Sequence, residues 1–157
     1  MAKPPDAKPK RRAAARGGHP PRLQVAALCW RRADKGLRVL LITSRDTGRW
    51  VVPKGWPMRN RTEAEAAARE AWEEGGLHGA IEPRSIGLYT YSKVLGPGRS
   101  VPCVVRIYAL EVREMLKQYP ETGQRKIRWF SQEKAARKVQ EPDLAAIIRD
   151  FAPEPAD

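Results

Sequence analysis

The sequence predicts an α/β fold in which a mixed sheet packs between helices. Short apolar runs alternate with turn residues along most of the 157-residue chain, one Ala-rich helical segment is inserted among them, and two further helical segments close the chain. With 41% hydrophobic residues, a chain of this length can form one compact domain. We therefore expect a single domain over residues 21–152, preceded by a disordered basic tail at residues 1–20 and followed by a frayed C-terminus at residues 153–157.

The apolar runs mark the expected strands. Residues 23–30 and 37–43 predict two buried strands, joined as a hairpin by the charged turn that ends at Gly36. Residues 50–52 predict a short third strand, which stops at Pro53 because proline cannot donate to a ladder. A second hairpin and a last short strand complete the sheet, with predicted strands at residues 80–94, 101–112 and 127–130.

Capping residues mark three expected helices. Thr62, with Glu65 three residues later, has the spacing of a capping box and predicts a helix that ends at the paired glycines 75–76. Ser131 can cap a helix that runs to about residue 140. Residues 142–151 predict a last helix, because proline suits a first turn and the apolar residues share one face.

The first of these helices is acidic in a basic protein. Residues 62–77 carry five Glu and one Arg, whereas the whole chain has a net charge of +12. Glu70, Glu73 and Glu74 fall within about a quarter turn of helix, so their carboxylates repel one another unless a cation bridges them. Hard divalent cations such as Mg²⁺ prefer oxygen ligands of this kind. The pattern therefore indicates a metal site.

A solvated surface helix is the alternative explanation. Glu-rich and Ala-rich helices are common, and i,i+4 pairs such as Arg69 with Glu73 stabilise them. That alternative does not explain the turn residues around Gly55 or the paired glycines after the helix. The same helical arrangement predicts that Ala66 and Ala67 lie on the exposed acidic arc, where small side chains leave room for a phosphate chain.

Gly55 opens a spacing that resembles the signature of the Nudix hydrolases. That signature is Gly, five residues, Glu, seven residues, then Arg-Glu-apolar-x-Glu-Glu-x-Gly-apolar. Arg61 stands where the family usually has Glu. The matching places after it are held by Arg69, Glu70, Ala71, Glu73, Glu74, Gly76 and Leu77.

The resemblance covers most of residues 22–150. RWVVPKGWP before the signature and RKIRWFSQEKAARKVQ after it are similar to the subgroup of diphosphoinositol polyphosphate and diadenosine polyphosphate hydrolases. The resemblance implies the Nudix α/β/α sandwich, which agrees with the strand and helix pattern. It also implies a hydrolase that cleaves a diphosphate linkage in a nucleotide or polyphosphate compound, with those two substrate types favoured.

The same resemblance implies roles for the acidic helix. Glu70 and Glu74 would be the main metal ligands, and Glu73 a further ligand or the group that orients or deprotonates water. The Gly55 carbonyl would be an additional ligand. Arg69 would hold a glutamate of the signature in place by a charge-assisted hydrogen bond. The implied cofactor is Mg²⁺, with Mn²⁺ as a substitute.

The excess of Lys and Arg predicts an anionic partner. Lys54, directly before the signature, is the best candidate for binding substrate phosphates. Arg22 and Arg45 are further candidates, for which a solvated surface role is the alternative.

The sequence does not decide the roles of two further sets of residues. In the resembled family an extra carboxylate often comes from beyond the signature, and spacing does not choose among Glu111, Glu114 and Glu121. Three aromatic residues could stack on a base or pack in the core, namely Trp56, Tyr89 and Tyr91.

Two other function classes fit the composition. One is a nucleotide-binding or RNA-binding Nudix module, with the basic tail as an electrostatic anchor, and the other is an enzyme that removes pyrophosphate from RNA 5′ ends. No apolar run approaches the length of a membrane helix, so we expect a cytoplasmic protein with no membrane contact. Cys29 and Cys103 lack the spacing of a disulfide scaffold or a zinc site. The sequence does not indicate an oligomeric state.

Overall fold

The computed structural model describes residues 20–155, so most of the predicted tail and the last two residues lie outside the described part. Within it, seven strands form one sheet and three helices pack on its faces. In chain order the elements are β1 (Arg22–Ala33), β2 (Gly36–Thr43), β3 (Trp50–Val51), β4 (Lys54–Gly55), α1 (Glu63–Gly75), β5 (Leu77–Gly96), β6 (Arg99–Met115), β7 (Ile127–Ser131), α2 (Gln132–Lys138) and α3 (Pro142–Asp150).

The sheet is mixed, as predicted. Its main path runs β3-β2-β1-β6-β5, and β7 pairs with β2. Both predicted hairpins are confirmed, since β1 pairs with β2 and β5 pairs with β6 in antiparallel fashion, whereas β1 and β6 run parallel. The short strand β4 pairs with β1, with Gly55 opposite Val25 and Lys54 opposite Ala26. This pairing places the start of the Nudix-like signature over the middle of the sheet.

The helices form a layer on each face of the sheet, which confirms the predicted sandwich. Successive residues of β1 point to opposite faces. Val25 and Ala27 pack with the core under α1, while Ala26 and Leu28 pack with the core under α2 and α3. Because β1 is buried on both faces, its sequence is a continuous apolar run instead of an alternating one.

The ends of α1 follow the predicted capping. The Thr62 side chain accepts a hydrogen bond from the Glu65 N–H at 3.1 Å, and the Glu65 carboxylate accepts one from the Thr62 N–H at 2.8 Å. Gly76 caps the C-terminus with φ of +69°, a left-handed conformation that favours glycine. The helix therefore starts and ends at fixed points, which sets the height of its acidic residues above the sheet.

One prediction about α1 is wrong. Ala66 and Ala67 are fully buried in the core under the helix and do not lie on an exposed arc. Glu70 and Glu74 contact β4, while the small side chains serve close packing of the helix on the sheet. They leave no open surface for a phosphate chain.

Several boundaries differ from the predictions. The strand pairing extends β5 and β6 beyond the predicted ends, and α2 stops at Lys138. Within β5 the register with β6 shifts between Ile81 and Ser85, around Pro83, which has no N–H to donate to the ladder. Among residues 20–155, no helix is long and apolar enough to span a membrane. Cys29 and Cys103 are both buried free thiols.

Replacing Gly76 by alanine is expected to destabilise the fold by about 3 kcal/mol. The new Cβ would lie 2.5 Å from Tyr119 Cδ1 and 2.7 Å from the Leu116 carbonyl oxygen, and the left-handed backbone would be strained. Urea unfolding measures the loss of free energy. Gly96→Ala is the matched control, because its Cβ would meet nothing within 4 Å. A loss no larger for Gly76→Ala than for this control would contradict the cap assignment.

Candidate active site

A cavity of about 790 Å³ opens beside the acidic face of α1. It is bordered by Gln24 of β1, the loop that follows β2, the β4 segment, and Glu70 and Glu74 of α1. Residues 91–94 of β5, Arg125, and the junction between α2 and α3 also line it. The pairing of β4 with β1 and the packing of α1 on both bring these separate segments to one place.

Glu70 and Glu74 lie four residues apart on α1 and both line the cavity while being only 9% and 8% exposed. The Lys54 backbone N–H donates to Glu74 Oε1 at 3.2 Å. Glu70 lies against Gly55, where a Cβ would be 2.3 Å from the carboxylate carbon. Only glycine leaves this space, so the absence of a side chain at residue 55 allows Glu70 to reach its position.

Burial disfavours the charged form of both carboxyl groups. Burial, followed by the charges of Glu74 and Glu73, raises the pKa of Glu70 to about 8. Burial also raises the pKa of Glu74, although the positive charges of Arg125 and Lys54 oppose that shift. Two buried carboxyl groups held in this way are in an environment that a bound cation would stabilise.

The Glu73 carboxylate is bound by Arg69. It accepts a hydrogen bond from Arg69 Nε at 2.7 Å, and Arg69 also lies over the Trp72 ring at 4.4 Å from the centroid. Glu73 is not among the residues that line the cavity. The structure therefore brings together two of the three predicted carboxylates, and Arg69 holds the third one away from them.

The donor set fits Mg²⁺. Among the described residues 20–155, no three side chains of His, Cys, Asp or Glu already converge as a ligand group. Mg²⁺ is usually bound by one or two carboxylates and completes its coordination with waters and substrate phosphates. Glu70 and Glu74, with the main chain of Gly55 directly beside them, match that requirement.

The three predicted phosphate-binding residues have different positions. Lys54 lines the cavity, and its ammonium group lies 4.9 Å from the centroid of the Tyr91 ring. Burial lowers the pKa of Lys54 to about 8, while the charge of Glu74 opposes the shift. Arg45 also lines the cavity and donates to Gln124 at 2.9 Å. Arg22 is not among the lining residues and lies over the Trp56 ring.

Arg125 is the residue that the sequence analysis missed. Its side chain is 8% exposed and lines the cavity, and its Nη2 lies 3.5 Å from Glu74 Oε2 and 3.1 Å from Glu121 Oε1. Its Nη1 donates to the Thr43 carbonyl at 3.2 Å. No local pattern marks it, because it is one of several basic residues in QRKIR.

The same contacts choose among the three acidic residues beyond the signature. Glu121 is connected to the site through Arg125, and its backbone N–H donates to the Glu73 carbonyl at 3.0 Å. By contrast, Glu111 lies 3.6 Å from Arg113, and Glu114 lies 4.0 Å from His78 on another part of the surface. Glu121 is therefore the one that the fold brings next to the acidic face of α1.

The NUDIX domain family model matches residues 21–151 of this chain. The chain belongs to the NUDIX domain family. The glutamate pair and Gly55 of this Nudix domain stand at the signature positions, so the site described above coincides with the part of the sequence that carries the resemblance.

Curated relatives share the family. Over 127 residues the chain is 31% identical to Nudix hydrolase 13, mitochondrial, of Arabidopsis thaliana, a match that covers 75% of this chain and 61% of that protein. It is 29% identical over 119 residues to human diphosphoinositol polyphosphate phosphohydrolase 3-alpha, covering 74% of this chain and 68% of that protein. The match thus spans less than two thirds of the Arabidopsis protein.

Solved structures agree in fold. The Nudix domain superposes on the C. elegans Ap4A hydrolase with a TM-score of 0.58 and 17% sequence identity, over 83% of this chain and 95% of that one. Identity this low supports the shared fold and carries no information on substrate.

Proposed function

We propose that this Nudix protein is a Mg²⁺-dependent pyrophosphohydrolase that cleaves a diphosphate linkage in a nucleotide or polyphosphate compound. The observation that carries the proposal is the Glu70 and Glu74 pair, buried at one wall of a cavity that basic side chains also line. The names of the sequence relatives support it, since they include Nudix hydrolase 13 and a diphosphoinositol polyphosphate phosphohydrolase. The proposal keeps Mn²⁺ as a substitute metal and the cytoplasm as the location.

Glu70, Glu74 and the main chain of Gly55 would hold the metal. A bound divalent cation neutralises phosphate charge and lowers the pKa of a coordinated water, which is the chemistry that a diphosphate linkage requires. The chain's own contribution is positioning. Arg125 holds the Glu74 carboxylate from one side, and the Lys54 N–H holds it from the other. This leaves Glu74 with little freedom to move.

The phosphate chain would be bound by the basic residues that line the cavity. These include Lys54, Arg45 and Lys93 of β5. In a partly enclosed cavity their charges act on phosphate oxygens with less screening than at the open surface. Glu121, which lies 3.1 Å from Arg125, would help to position the Arg125 guanidinium beside Glu74.

A substrate panel tests the proposal directly. The protein is incubated with diadenosine polyphosphates, diphosphoinositol polyphosphates, nucleotide sugars, nucleoside triphosphates and 5′-triphosphate RNA, with and without Mg²⁺, and products are identified by anion exchange and mass. We expect Mg²⁺-dependent cleavage of a phosphoanhydride. If nothing is turned over while nucleotide or RNA binds, the binding-module alternative is favoured, and a preference for RNA favours 5′-end processing.

Glu70→Gln is expected to stabilise the metal-free protein and to reduce its stabilisation by Mg²⁺. The amide keeps the shape of the side chain and is always neutral, whereas burial raises the pKa of Glu70 to about 8, so the carboxyl must take up a proton on folding at pH 7. Removing this cost is expected to raise the free energy of unfolding by about 1 kcal/mol at pH 7 in EDTA. A ligand at 100 times its Kd stabilises the native state by about 2.7 kcal/mol, and the variant should lose most of this gain because a metal ligand is missing. Urea unfolding with EDTA or Mg²⁺ measures both effects.

Glu82→Gln is the matched control, because Glu82 is an exposed carboxylate on β5. Glu82→Gln should change neither the free energy of unfolding in EDTA nor the stabilisation by Mg²⁺. If Glu70→Gln gains as much stability from Mg²⁺ as the wild type does, then Glu70 is not a ligand of the metal.

A further inference from the structure

Trp56 is the one residue of the three aromatic candidates whose ring is open to the cavity in the described part of the chain. Tyr89 is 2% exposed and packs in the core under α2 and α3. Tyr91 lines the cavity, but the Lys54 ammonium group lies over its ring and its hydroxyl donates to Gln24 at 2.6 Å. Trp56 is 39% exposed and borders the same cavity.

The surroundings of Trp56 suit a planar ligand. The exposed guanidinium group of Arg22 lies 5.9 Å from the centroid of the Trp56 ring, a contact that still leaves the indole 39% exposed. Trp56 directly follows Gly55, which contacts the Glu70 carboxylate. A ligand stacked on the indole would therefore have its phosphates in the cavity that Glu70 and Glu74 line. Stacking on an aromatic side chain is favourable for any nucleobase, because every base has a π-face.

The charged residues that line the cavity are of both signs, and most of the carboxylates are paired with a basic side chain or are proposed metal ligands. Five cationic and four acidic residues line it. Arg49 Nη2 lies 2.8 Å from Glu141, and Arg125 is paired with Glu74 and Glu121. The basic residues that line the cavity are Arg45, Arg49, Lys54, Lys93 and Arg125, and the acidic ones are Asp46, Glu70, Glu74 and Glu141.

The exposed indole fits one of the two favoured substrate types better than the other. A diphosphoinositol polyphosphate carries phosphates around its whole ring and has no aromatic base to stack on Trp56. A nucleoside polyphosphate has its charge along one phosphate chain and ends in a neutral aromatic base. The exposed indole therefore favours the nucleotide.

We propose that Trp56 is the base-stacking residue of this cavity and that it selects nucleoside polyphosphates over diphosphoinositol polyphosphates. This inference rests on the proposed function, which leaves the two substrate types open. It assigns to Trp56 a role in substrate affinity and none in the chemical step. Loss of the indole should therefore act on KM more than on kcat.

The test compares Trp56→Ala with Trp56→Phe and with Leu88→Ala, an apolar residue that is 50% exposed on β5 and outside the cavity lining. Steady-state kinetics with Mg²⁺ are measured on diadenosine tetraphosphate and on a diphosphoinositol polyphosphate. Inorganic tripolyphosphate, which has no base, serves as a competitive inhibitor. We expect Trp56→Ala to raise KM for the dinucleotide about 10-fold or more with little change in kcat, and to leave the Ki of tripolyphosphate unchanged.

The affinity of each control variant for the dinucleotide should depend on whether an aromatic ring is present at residue 56. Trp56→Phe should restore most of the affinity for the dinucleotide, and Leu88→Ala should behave as the wild type. If Trp56→Ala weakened the binding of tripolyphosphate as much as that of the dinucleotide, the inference would be overturned, since the effect would then be on the phosphate site. So would a higher kcat/KM of the wild type for the diphosphoinositol compound.

A separate measurement keeps this inference distinct from the proposed function. If the wild type hydrolyses no compound of the substrate panel with Mg²⁺, the proposed function fails, and the calorimetric Kd for ADP then decides the stacking role. Binding of ADP that is about 10-fold weaker in Trp56→Ala, and restored in Trp56→Phe, supports the role of the ring. An unchanged Kd overturns it.

Discussion

Glu74→Gln is expected to lower kcat of the Mg²⁺-dependent reaction by about 10³-fold or more while the fold stays intact. The amide cannot supply the negative oxygen that a hard cation prefers, and a metal that is lost or displaced withdraws several kcal/mol of charge stabilisation from the transition state. Each 1.36 kcal/mol corresponds to a factor of ten in rate, which sets the expected size. Single-turnover rates with saturating substrate measure the effect.

The structure explains why this change should be tolerated by the fold. Glu74 is 8% exposed, but it faces the cavity, and an amide oxygen can still accept from the Lys54 N–H. The circular dichroism spectrum and cooperative unfolding should therefore match those of the wild type. Glu82→Gln, at an exposed site, is the control for the charge change. Retained turnover in Glu74→Gln would refute the assignment of the site.

Gly55→Ala is the second change with a large expected effect. A Cβ at residue 55 would lie 2.3 Å from the Glu70 carboxylate, so this carboxylate has to move away. Because the clash is with the end of a flexible side chain and not with backbone, we expect the fold to survive and the metal site to be lost. The expected result is a loss of about 10²-fold in kcat, with weaker binding of Mg²⁺.

Gly96→Ala is again the matched control, because its Cβ meets nothing within 4 Å. Isothermal titration calorimetry with Mg²⁺ and steady-state rates should separate the two variants clearly. If Gly55→Ala keeps wild-type activity and Mg²⁺ affinity, the close contact between Gly55 and Glu70 has no functional importance. A loss of activity that accompanies global unfolding would instead assign Gly55 a structural role.

The local elements and the composition of the acidic helix could be predicted from the sequence alone. Hydrophobic runs, proline and capping residues act within a few positions of one another, so β1, β2 and the start of α1 at Thr62 were identified from their own residues. The signature from Gly55 to Leu77 likewise lies within one continuous segment, and its spacing was sufficient to identify the family.

The tertiary structure alone decided which side chains meet in the cavity. The helical period places Glu70, Glu73 and Glu74 on one arc and predicts the pairing of Arg69 with Glu73. Only the packing of α1 shows that Glu70 and Glu74 line a cavity and that Glu73 does not. The same packing buries Ala66, which the sequence placed on the exposed side.

Contacts between distant segments determine the site residues that the sequence did not predict. Arg125 and Glu121 reach the end of α1 from a segment about 50 residues further along the chain, through hydrogen bonds and ion pairs that no local pattern encodes. Spacing predicts neighbours within one helix or strand because its geometry repeats. The meeting of separate segments depends on the whole core, and it is this meeting that makes the acidic helix one wall of a cavity.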